Sequence, residues 1–156
     1  MHILIAPNAF KKSLSAGEVA SAIETGLITS QLKCTTECFP IADGGDGTGE
    51  LIVQKCGGEM MNVMVHDPLG RKINASFGLI ENGRTAIIEM ANASGIRLLK
   101  PDELNPLGAS SLGTGELILA ALDAGARKII LTLGGSATVD GGMGILSALG
   151  VQFLDE

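Results

Sequence analysis

Aromatic side chains are nearly missing from this chain, which has no Trp, no Tyr and only four Phe in 156 residues. Single-strand nucleic-acid platforms stack bases on such rings, so their scarcity argues against that class. Positive charge is also sparse. Eleven Lys and Arg against seventeen Asp and Glu give a net charge of −6 and a pI near 4.9, without the basic footprint of a nucleic-acid binder. Small anions remain admissible, because helix N-termini and a few lysines bind them locally. No apolar run reaches the ~18–20 residues of a membrane span; Glu116, Asp123, Arg127 and Lys128 interrupt the longest stretches. The opening MHILIAPNAFKK has no charged n-region and meets Pro7 too early for a signal peptide. Cysteine is limited to Cys34, Cys38 and Cys56, an odd number with no CxxC pair, which reads as reduced thiols in a cytoplasmic protein.

What the chain has in excess is glycine and aliphatic surface. It contains 22 Gly, twice the usual ~7%, beside 46% apolar residues. Strands buried on both faces, or an apolar surface meeting another domain or a second copy, are expected. HILIA at 2–6 reads as a buried strand ended by Pro7. Ser15 and Glu18 have capping-box spacing, and Val19, Ile23 and Leu27 continue as one face of a helix to about Ser30. A strand over Cys34–Ile41 and a helix over Glu50–Cys56, stopped by Gly57-Gly58, follow. The period then changes. Strands at 61–65, 73–80 and 85–90 are separated by turns at Asp67–Gly70 and Glu81–Arg84, with Asn82-Gly83 a hairpin signal. A helix over 115–124, a strand over 128–133, a further helix and a strand over 151–154 complete the pattern. Sections 1–58 and 107–156 read as α/β and enclose an antiparallel section 59–106, a mixed α/β fold.

Three glycine-rich stretches lead into helices: Asp43–Gly49, Leu112–Glu116 and Gly134–Gly142. Such loops let backbone N–H groups approach a ligand, and the following helix favours a phosphate or carboxylate. One loop alone is more simply a turn; three with interspersed Ser, Thr and Asp point to anion binding. Gly44, Gly45, Asp46, Gly47, Thr48, Gly113, Thr114, Gly115, Gly134, Gly135, Ser136, Thr138, Gly141 and Gly142 are the candidate binding residues. Asp43 and Asp140 are candidate catalytic carboxylates or Mg²⁺ ligands, since that ion takes one or two carboxylates and keeps several waters. Asx turns or helix caps are the alternative for Asp43, Asp46 and Asp140. Lys11, after the first strand, is placed to neutralise an anion, and Lys12 reads as a solvated neighbour. GTGELI occurs at 47–52 and again at 113–118, which reads as one helix-start solution used twice. Neither G-x-x-x-x-G-K-[ST] nor G-x-G-x-x-G occurs. His2 and His66 show no partner that would make a triad or a metal site, and His66 reads as a turn residue.

IAPNAFKKSLSA, IADGGDGT, GTGELI and GGSATVDGGMG, in that order, resemble the glycerate kinase family over nearly the whole chain. The resemblance implies ATP- and Mg²⁺-dependent phosphorylation of D-glycerate, usually at the 2-hydroxyl, in a cleft between two α/β domains, one Rossmann- or flavodoxin-like. It places Lys11, Asp43–Thr48, Gly113–Gly115 and Gly134–Gly142 along that cleft. Asn8 and Ala9 stand where the family usually has Asp and Ser, and Val139 where it has Asn. Family members are more than twice as long, so the chain is expected to be the N-terminal portion of such an enzyme. A truncated domain keeping an anion-binding or homodimerising surface, or a kinase for another small hydroxy acid, are the alternatives.

Overall fold

The computed structural model describes residues 1–11 and 13–154, and Lys12 lies outside them. The chain divides into two compact units, Met1–Asp43 and Gly44–Glu156.

The first unit is a βαβ element. β1 (His2–Ile5) and β2 (Thr35–Cys38) pair in parallel, His2 opposite Thr35 and Ile5 opposite Cys38. β2 is shorter than the sequence suggests because β1 offers only four residues before Pro7. Between them runs α1 (Ala16–Thr29), whose start carries both halves of the expected capping box. The Ser15 hydroxyl accepts from the Glu18 N–H, and the Glu18 carboxylate accepts from the Ser15 N–H at 2.7 Å. These bonds hold the Glu18 carboxyl below its ordinary range. Two strands cannot cover a helix about 21 Å long. Val19 and Ala20 are buried, whereas Ile23 and Ile28 stay 43% and 69% exposed.

The second unit is a four-stranded sheet in the order β3 (Glu59–His66), β4 (Lys72–Ile80), β5 (Thr85–Glu89), β6 (Lys128–Thr132). The first three are antiparallel, and β6 joins β5 in parallel, Glu89 opposite Thr132. The parallel pairing brings the last section of the chain into the same sheet as the middle one. The fold is therefore mixed α/β, with one parallel sheet and one mixed sheet. Side chains alternate across β5. Ile88 packs with Val65, Phe77 and Leu79 under α4 (Leu112–Asp123), and Ile87 packs with Val53 and Ile80 under α2 (Thr48–Cys56). Burial on both faces explains the apolar centre of β5, Ala86 to Ile88. No described helix is long and apolar enough to cross a membrane.

Three local features differ from the sequence reading. In the β4–β5 hairpin the Ile80 carbonyl accepts from the Gly83 N–H, so the central pair of the turn is Glu81-Asn82 rather than Asn82-Gly83. Both central residues have positive φ, 55° and 56°, the sign that a mirror-type hairpin turn demands. A short helix α3 (Ala91–Ser94) follows β5 directly, and α4 starts at Leu112, three residues early. Residues 151–154 form no strand, because among the described residues no strand runs beside them; the Val151 N–H instead closes α5 (Met143–Ala148) through the Leu146 carbonyl.

Candidate functional site

Within the second unit, the C-terminal ends of the parallel pair β5–β6 organise the glycine-rich loops, the end at which open α/β sheets collect ligands. The Thr132 carbonyl accepts from the Met90 N–H at 3.0 Å, fixing the exits of the two strands. Beyond it, the Gly134 N–H donates to the Gly44 carbonyl at 2.8 Å, and the Ala137 N–H to the Ser94 carbonyl at 2.9 Å. The loops 44–49, 90–97 and 134–142 are thereby tied together. Glycine is required at 134: a Cβ there would lie 2.5 Å from the Gly45 Cα. The structure thus joins Gly44, Gly45, Gly134 and Gly135 in one loop cluster. The Ser136 hydroxyl and Thr138 form a local turn, with the Thr138 N–H donating to the Ser136 oxygen at 3.1 Å.

Two helix starts in this cluster, those of α2 and α5, carry an internal acceptor. At α2, Glu89 of β5, 3% exposed, accepts from the Gly47 N–H at 3.0 Å and the Gly49 N–H at 2.9 Å. Arg97 Nη2 stands 4.0 Å from Glu89, and its Nε 3.3 Å from the exposed Asp46. At α5, Asp140 Oδ2 accepts from the Ser111 N–H and hydroxyl at 2.8 Å each and from the Gly144 N–H at 3.1 Å; Oδ1 accepts from the Gly142 N–H. The Ser111 oxygen in turn accepts from the Ile145 N–H at 3.1 Å. Burial pushes the Asp140 carboxyl upward, but the bonds from Ser111, Gly144 and Gly142 outweigh it and hold it below the usual range. Asp140 therefore caps α5 and staples it to the start of α4. Among the described residues, the backbone N–H groups of Gly135, Ser136, Val139 and Gly141 make no hydrogen bond.

Gly113, Thr114 and Gly115 lie inside the first turn of α4, buried. A Cβ on Gly113 would collide with the His66 carbonyl, and one on Gly115 would come within 2.6 Å of the Ala148 Cβ. The Thr114 hydroxyl is hydrogen-bonded to Ser94 at 2.7 Å, both fully buried. These residues let α4 pack closely against β3 and α5. The same helix gives His66 the partner that sequence reasoning missed: Glu116 accepts from the His66 backbone N–H and lies 2.7 Å from Nδ1. Starting α4 at Leu112 is what aims Glu116 at the end of β3.

Lys11 and Asp43 belong to the first unit, both exposed, Lys11 in the tight turn that Phe10 and Leu14 close. Among the described residues no cluster of three or more His, Cys, Asp or Glu is arranged to hold a metal, and the three cysteines are free. The Thr48 hydroxyl is buried without a hydrogen-bond partner. Sequence reasoning also missed Glu89, Arg97 and Ser111. The available signals were an acidic residue ending the apolar run TAII, and a serine just ahead of a glycine-spaced helix start.

A model of the glycerate kinase family matches residues 3–156. The chain is 50% identical over 155 residues to the "Glycerate kinase" of Bacillus subtilis (strain 168), and 48% identical over 155 residues to the "Glycerate 2-kinase" of Escherichia coli (strain K12). Each alignment covers 99% of this chain and 41% of the relative, so the chain spans about two-fifths of the length of these curated relatives. A crystal structure from Salmonella typhimurium LT2, assigned as glycerate kinase 2, superposes with a TM-score of 0.80 at 49% identity, covering 96% of this chain and 40% of that one.

Proposed function

The chain belongs to the glycerate kinase family, and from that membership we propose that it carries the N-terminal share of an enzyme that transfers the γ-phosphoryl group of ATP to D-glycerate. The acceptor is the 2-hydroxyl, and the product 2-phosphoglycerate. The observation that carries this reading is the loop cluster at the ends of β5 and β6, where Gly134 bonds Gly44 and, among the described residues, the N–H groups of 135, 136, 139 and 141 make no hydrogen bond. Preorganised backbone donors of this kind stabilise charge that builds on a transferring phosphoryl group. Catalysis in such transfer is mostly positioning and charge neutralisation.

The backbone N–H groups of Gly135, Ser136, Val139 and Gly141 are offered to phosphate, with the Ser136 and Thr138 hydroxyls beside them. Lys11 supplies positive charge for phosphate or the glycerate carboxylate. Asp140 fits a Mg²⁺ ligand poorly, because its carboxylate already accepts four hydrogen bonds. Asp43 and Asp46 are the exposed carboxylates offered for it, since Mg²⁺ takes one or two carboxylates and completes its shell with phosphate and water. When bound, the ion would neutralise the ATP phosphates. The other of these two carboxylates orients the 2-hydroxyl and takes its proton as that oxygen bonds to the γ-phosphorus and the bond from phosphorus to the ADP oxygen breaks.

The test is ADP formation from Mg-ATP with and without D-glycerate by the whole enzyme of which this chain is the proposed N-terminal share, with ³¹P NMR locating the new phosphate. Glycerate-dependent ADP and 2-phosphoglycerate are expected. Equal turnover with another small hydroxy acid, and none with glycerate, would transfer the reading to that acid.

A further inference from the structure

A carboxylate buried at the end of an otherwise apolar strand is costly unless its oxygens are hydrogen-bonded and its charge is compensated. Glu89 has both. Its two oxygens accept from Gly47 and Gly49, N–H groups that the glycine-rich sequence offers to an anion, and Arg97 lies 4.0 Å away. Arg97 also reaches Asp46, 3.3 Å from Nε, and donates to Asn92 Oδ1. The path Gly47/Gly49–Glu89–Arg97–Asp46 thus begins and ends on the same loop. A helix start that already holds an internal anion has no call for an external one, and a phosphate placed there would face a buried like charge.

We propose that Glu89 is a positioning residue for phosphoryl transfer: its carboxylate takes the place of a phosphate at the start of α2 and, through Arg97, sets where Asp46 stands. This rests on the kinase reading for its catalytic half only. The loop from Gly44 to Thr48 then works through its shape and its carboxylate, and phosphate is left to the open amides of the 134–142 loop.

Three measurements test it, exchange and stability on this chain and turnover on the whole enzyme of which it is proposed as the N-terminal share. In the wild type, amide hydrogen exchange at Gly47 and Gly49 is slow. In Glu89→Gln, whose side-chain NH₂ must face one of these donors, exchange rises at least tenfold. In Glu89→Ala, loss of two charge-assisted bonds lowers Tm by roughly 5–15 °C, and added formate, filling the vacated anion position, restores roughly 2–6 °C in the variant and leaves the wild type unchanged. In turnover, Glu89→Gln lowers kcat about 10- to 100-fold with the KM for glycerate within about threefold, and formate partly restores kcat in Glu89→Ala. Fast exchange at both glycines in the wild type, or a Glu89→Gln protein with unchanged exchange and kcat, overturns the proposal. Should Glu89→Ala fail to fold, the wild-type exchange and Glu89→Gln still decide it. A wild type without glycerate-dependent turnover refutes the kinase reading and the catalytic half with it, while exchange and formate still judge the hold on the loop.

Discussion

Asp140 and Asp67 show how single carboxylates hold the loops of the second unit. Asp140 joins two helix starts through four donors, and Asp67, 2% exposed, closes its turn by accepting from the Leu69 and Arg71 N–H groups and pairing with the Arg71 guanidinium. Burial pushes the Asp67 carboxyl up, but the bonds from Arg71 and Leu69 outweigh it and lower it below its ordinary range. Asp140→Asn points an NH₂ group at backbone donors, so it should cost about 2–4 kcal/mol of stability and roughly 5–12 °C in Tm by calorimetry. An activity loss in that variant would then follow the folded fraction. Both carboxyls are depressed in the folded state, so their stabilisation is complete above the unfolded value near pH ~4 and is lost as pH falls through the lower folded values. Acid unfolding should accordingly steepen below about pH 4 in the wild type, and flatten in Asp140→Asn. At this scale, sequence made Asp43, Asp46 and Asp140 visible because each adjoins glycine. Glu89 escaped notice because its partners lie forty residues away, brought near only by the packing of α2 on β5.

Helices show what glycine does in each place. Gly115 sits in α4 where an added methyl would lie 2.6 Å from the Ala148 Cβ and 2.8 Å from the Ile145 carbonyl oxygen. Gly26 sits in α1 with nothing within 4 Å of such a methyl. Alanine is the better helix former by about 0.8–1.0 kcal/mol. Gly26→Ala should therefore stabilise by about 0.5–1 kcal/mol, while Gly115→Ala should destabilise by about 1–3 kcal/mol despite its propensity gain, both read from urea unfolding. The capping box of α1 was legible because Ser15 and Glu18 meet through local geometry. The start of α4 was not: glycine at 113 and 115 imitates a loop, and only the approach of β3 and α5 explains it. The β4–β5 hairpin was legible in place, yet its turn is one residue off because Glu81 accepts the positive φ that Asn82-Gly83 advertises.

For the whole molecule, alternating β and α signals around an antiparallel section made the mixed α/β class legible. The parallel pairing of β5 with β6 was not, since it joins strands separated by α3, α4 and the segment between them. Four ordered motifs carried the family, and a family match over residues 3–156 bears that out. The sequence reading also treated every glycine-rich helix start as a place for an external anion. In the fold, Glu89 and Asp140 occupy two of them, and the third is buried under β3 and α5.

The most direct measurement is glycerate-dependent ADP formation with Mg-ATP by the whole enzyme of which this chain is proposed as the N-terminal share, in the wild type and in Asp43→Asn. One ADP is expected for each D-glycerate phosphorylated at its 2-hydroxyl, with kcat lower by about tenfold or more in Asp43→Asn. A folded wild-type enzyme that forms no ADP with D-glycerate, or an Asp43→Asn variant of unchanged kcat, would contradict the kinase reading.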